Sequence, residues 1–228
     1  MTTLYTAVGV LKIKNDERGR YPQITVKGKE HNVDMGEMLI WSALNWRILP
    51  LRQVKELFRN GLAQSGAKLD RPFAEYVERL ITRGLIVSGS GDTDADALYD
   101  LLCDLYVIPT ESSLLTKLSS FLKVVFADGV PLKSAKWIFK RGKLSGDERR
   151  VMDIVKQAFL STAEITKCVE VGCFDVSTDD KVMLAVYDDD FTTCDNIRYY
   201  ADAFQAKRPV LTAVANLYLR KQIIFTRV

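Results

Sequence analysis

Residues 43–61, ALNWRILPLRQVKELFRNG, align without a gap on residues 154–172, IVKQAFLSTAEITKCVEVG. Apolar falls on apolar at Leu44/Val155, Ile48/Phe159, Leu49/Leu160, Val54/Ile165, Leu57/Cys168 and Phe58/Val169. A second block repeats too. Residues 71–87 lie on residues 208–224, setting Val77 on Val214, Leu80 on Leu217, Arg83 on Arg220 and Ile86 on Ile223. Few letters are identical, so the apolar pattern carries the alignment. Self-similarity on this scale marks one supersecondary unit used twice.

Working outward from the first copy, Asp34 precedes Glu37 at capping-box spacing. The periodicity of Leu39, Ile40, Ala43, Leu44 and Ile48 predicts a helix over 36–46. Pro50 stops it and opens the next, over 51–59, which Gly61 closes. Asp70 and Pro72 start a third helix, 71–83, and Gly84 ends it. Residues 85–87 read as a short strand and Ser88-Gly89-Ser90-Gly91 as a turn. Upstream, residues 4–14 and 24–26 are strand-like and flank turn residues 15–19, which predicts a β-hairpin.

Strands, three helices, then a short strand and turn: with Arg71, Val77, Leu80 and Arg83-Gly84-Leu85-Ile86 in place, this order resembles the winged helix-turn-helix of transcriptional regulators. The resemblance covers residues 36–91 and returns over 147–225. It implies a mainly α fold with small β-hairpins (α+β), built as tandem winged-helix domains. The first spans 1–93 and includes the N-terminal hairpin. The second spans 147–228 and carries an acidic insertion at 173–207, where the first copy has only Leu62–Asp70. Lys221 stands where the first copy has Gly84. Residues 94–146 read as a helical linker. Its two leucine-rich amphipathic stretches, 94–106 and 112–126, pack between the units or form a homodimer contact.

In winged-helix proteins that bind DNA, the third helix enters the major groove. The resemblance therefore points to Arg71, Arg79 and Arg83 in the first unit, and to Arg208, Thr212, Asn216 and Arg220 in the second. Glu75 and Glu78 share the first helix face and oppose phosphate, whereas the second face has no acid. The linker adds Lys133, Lys136, Lys140, Arg141 and Lys143 around Trp137 and Phe139, with no carboxylate. Such a span neutralises phosphates, or else is a solvated face anchored by its aromatics. The expected function is binding of double-stranded DNA, as a transcriptional regulator without catalysis. The alternative is a protein- or peptide-binding adaptor.

Composition narrows the classes. Net charge is +3, with 47% hydrophobic and 27% charged residues, ordinary values for a globular chain. No apolar run reaches the roughly 18 residues of a spanning helix, and the first residues lack a secretion signal. A cytoplasmic protein with no membrane partner is expected. Cys103, Cys168, Cys173 and Cys194 lack zinc-site spacing, and His31 is the single histidine, so neither a metal nor a cofactor is expected. No GxSxG, HExxH or phosphate-binding glycine loop occurs, so no residue is assigned to catalysis. The aspartates at 179–180, 188–190 and 195 lack calcium-loop spacing and read as helix caps and loop solvation.

Overall fold

The computed structural model describes residues 1–16, 19–110, 144–189 and 191–227. In chain order its elements are β1 (Thr2–Ala7), β2 (Val10–Asp16), β3 (Gly19–Val26), β4 (Lys29–Asn32), α1 (Met35–Leu44), β5 (Leu49–Pro50), α2 (Leu51–Ser65), α3 (Phe73–Thr82), β6 (Ile86–Gly91), α4 (Asp94–Leu102) and β7 (Tyr106–Pro109). After the linker come α5 (Gly146–Val155), α6 (Thr162–Glu170), α7 (Asp179–Val186), α8 (Ile197–Ala201), α9 (Lys207–Leu219) and β8 (Ile223–Thr226). The fold is mixed α+β with small antiparallel sheets, ordered β5-β1-β6, β2-β3-β4 and β7-β8.

Local chemistry explains most boundaries. The expected strand over 4–14 is broken at Gly9, where φ is +89° and a Cβ would lie 2.4 Å from the Thr25 carbonyl oxygen. Only glycine fits there. Asp34 and Glu37 make the expected capping box at α1. Gly61 does not end α2, which runs on to Ser65 and stops at left-handed Gly66. Residues 88–91 are strand, not turn. They continue β6 opposite Thr2–Tyr5. Their glycines serve packing: a Cβ on Gly89 would lie 2.1 Å from the Leu101 nitrogen, so α4 rests its backbone on the strand. The first linker helix ends at Leu102, and Tyr106–Pro109 pairs with β8 as strand β7. The second linker stretch, 112–126, lies outside the described residues.

Both copies of the repeat show the same devices. Capping boxes open α1 at Asp34/Glu37 and α5 at Ser145/Glu148. In the first sheet Leu4 faces Pro50 on one side and Gly89 on the other. In the second, Tyr106 faces Ser161 and Thr226, the positions aligned with Pro50 and Gly89. Lys221 takes φ +59°, matching Gly84 at +66°. A lysine in this region is strained, and its ammonium sits 5.2 Å from the centre of the Trp46 ring. The insertion holds α7 and α8, both packed on α6.

One phenol joins the halves. The hydroxyl of Tyr218, on α9, accepts from the Trp46 backbone N–H (3.0 Å) and lies 3.0 Å from the Thr6 hydroxyl. It also lies 3.3 Å from the Ala7 carbonyl. Nearby, the Gly9 N–H donates to the Phe225 carbonyl at 2.8 Å. The Tyr218→Phe variant strips partners from groups buried on both sides. Equilibrium denaturant unfolding should show a loss of about 1–3 kcal/mol. An unchanged midpoint would mean the hydroxyl is dispensable.

Candidate functional site

The third helices were the expected reading surface, and most of their arginines are already occupied. Arg71 precedes α3 and is held by Glu75 (2.9 Å), Asp34 (3.3 Å) and Asp70 (3.4 Å). Arg79 Nε donates to Glu37 Oε1 at 3.0 Å. Arg83 Nη1 reaches both oxygens of the same carboxylate at 2.9 Å, and its Nη2 donates to the Asn32 carbonyl at 2.6 Å. The Glu37 side chain is only 1% exposed. Arg220 repeats this at 2.9 Å from Glu148, which is also buried.

The Glu37 carboxyl titrates below its ordinary value. Burial pushes it up, but the Asp34 backbone N–H and the Arg83 and Arg79 guanidiniums outweigh burial. Pairing offsets the charge these guanidiniums would offer a phosphate, although Arg79 engages only Nε and Arg220 only Nη1 and both side chains stay partly exposed. Sequence reasoning gave Arg79, Arg83 and Arg220 to a ligand because nothing local links them to Glu37 or Glu148. The capping-box spacing at Ser145 and Glu148 and the Arg83/Arg220 alignment were the available signals.

On α9, Arg208 and Thr212 are exposed and Asn216 is half-buried. The Thr212 hydroxyl donates to the Arg208 carbonyl (2.9 Å). Lys207 pairs with Asp202 at 2.6 Å and lies over the Tyr99 ring. The cations Lys133, Lys136, Lys140, Arg141 and Lys143 lie outside the described residues. Thus Arg208, Thr212 and Asn216 share one helix, while the first-unit arginines form a separate, internally paired cluster.

Two apolar grooves accompany these surfaces. One, about 540 Å³, runs between α2 and α3 over Leu51, Phe73, Val77 and Ile81. The other, about 600 Å³, lies between the β2–β3 hairpin and β7–β8. Reactive groups are scarce. Burial pushes the Cys103 and Cys168 thiols up to about 12, which suppresses the thiolate. Hydrogen bonds hold two of the insertion's aspartates low. Asp189 falls to about 2, first through Thr192, and Asp175 to about 2, first through Lys181. Among the described residues no group of three or more His, Cys, Asp or Glu is placed to hold a metal. No helix there is long and apolar enough to cross a membrane.

Neither a family model, nor a curated protein, nor a solved structure matches the chain.

Because the folded carboxyl of Glu37 titrates low, its contribution is present above the ordinary carboxylate range and is lost as pH falls through the folded value. The Glu37→Gln variant should lose about 1–3 kcal/mol at neutral pH, discounted because both arginines are partly exposed. It should also lose less stability than the parent on acidification below pH 4.5, the ordinary value. Urea titrations at neutral and acid pH check both; parallel pH profiles would deny Glu37 this role.

Proposed function

We infer that the chain is a non-catalytic polypeptide-binding scaffold of two tandem winged-helix units. The unit assignment is supported by the repeated capping boxes, the matched strand register and the twin Glu37–Arg83 and Glu148–Arg220 pairs. The observation that carries the function is where the charge goes. Arg71, Arg79, Arg83 and Arg220 pair with carboxylates of their own chain, while among the described residues two apolar grooves are uncovered. Apolar floors with a polar rim suit polypeptide side chains better than phosphates.

A second reading, double-stranded DNA and transcriptional regulation, is favoured by one observation. Arg208 and Thr212 are exposed on α9, and among the described residues no carboxylate pairs with Arg208. The two readings differ in salt response. The purified chain, titrated with mixed-sequence duplex DNA at low salt and again at physiological salt, should show no binding tighter than about 10⁻⁴ M, the weak end of non-specific affinity. Tight binding that falls steeply with salt and weakens in Arg208→Ala would replace the scaffold reading with the DNA reading.

A further inference from the structure

The repeat places β1–β6 and β7–β8 in matching positions, but among the described residues a helix covers only one of the two matching faces. On β1–β6 that face carries Leu4, Thr6, Val87 and Gly89, and α4 lies on it. This helix is acidic, with Asp94, Asp96 and Asp100 and no lysine or arginine. The matching face of β7–β8 carries Tyr106, Ile108, Ile224 and Thr226. There the 600 Å³ groove opens. Ile108, Ile224 and Phe159 floor it and Val10 of the hairpin walls it. The Phe159 side chain stacks on Tyr106 yet remains 52% exposed. Lys12, Lys27 and Arg227 rim the groove, and no carboxylate is among its described lining residues.

We propose that this groove docks an acidic amphipathic helix of a partner protein, laid on β7–β8 as α4 is laid on β1–β6. The proposal rests on the reading of the chain as a polypeptide-binding scaffold and names its site and partner chemistry. Charge selects the occupant: three cations surround an apolar floor, the complement of a helix with aspartates beside leucines. Thr226 stands where β6 has Gly89, so an incoming helix is held off the strand and fills the groove with side chains instead. A second copy does not supply this helix, because its own α4 is engaged, with Ala97, Leu101 and Leu102 buried.

The probe is a fluorescein-labelled peptide copying residues 93–106 with Cys103→Ser, titrated into the full chain by fluorescence anisotropy. Saturable binding is expected. It should weaken about tenfold or more in the Phe159→Asp variant and in the Lys12→Glu, Lys27→Glu pair, as for central and rim contacts of an interface. A probe with every Asp replaced by Lys should not bind. These side chains lie outside the core, and circular dichroism melts of each variant verify folding. No saturation up to about 1 mM overturns the proposal. Binding that ignores the substitutions overturns the groove but leaves the scaffold reading standing. No peptide binding combined with tight duplex binding removes both. Sedimentation showing a dimer that Phe159→Asp dissolves would give the groove to a second copy, and that also overturns the proposal.

Discussion

The buried carboxylate of Glu37 is the constraint around which the first unit closes. An ionised carboxyl removed from water costs several kcal/mol unless its oxygens are satisfied. Here the Asp34 N–H and the Arg79 and Arg83 guanidiniums satisfy it. The start of α1 is thereby fixed to the end of α3, and the intervening α2 has little freedom to choose its place. The second unit solves the same problem with Glu148, the Ser145 N–H and Arg220. A charge pair that closes the fold has part of its charge already neutralised. A guanidinium that left Glu37 would strand a buried anion.

The halves meet through directional contacts as well as apolar ones. Tyr218 reaches across from α9 to the end of α1 and to β1. Burial pushes its phenol up, so it stays protonated and able to donate. On the other side, α4 belongs to both halves. Its backbone lies against β6, while Tyr99 donates to the Arg198 carbonyl and Asp100 and Asp104 hold the Arg198 guanidinium. The stretch read as a linker is therefore structural at its start, and β7 is a strand of the second sheet. The two sheets differ in their cover: α4 lies on β1–β6, and among the described residues the corresponding face of β7–β8 borders a groove.

The acidic insertion fits the same logic. Asp189 closes its loop onto Phe191 and Thr192 and draws in Lys167, while Asp175 receives Ser177 and Lys181. Asp175 and Asp189 hold turns beside α7 and α8, whereas the N-cap positions of these helices belong to Thr178 and Asn196. Their charge pairs with Lys167 and Lys181.

The sequence by itself determined the main helices of residues 34–84 and the mixed α+β class. Helical periodicity, capping boxes and turn glycines act over a few residues, so Asp34, Glu37, Pro50 and Gly84 announced their roles. Only the tertiary structure decided what the charges and glycines do. Arg83 and Glu37 are neighbours in space but distant in the chain, and no local pattern distinguishes an arginine facing solvent from one facing a buried carboxylate. Gly89 looked like a turn because its real reason, the backbone of α4 above it, comes from another element. Long-range pairing assigns a residue's partner, and the partner decides whether a charge builds the fold or remains free to bind.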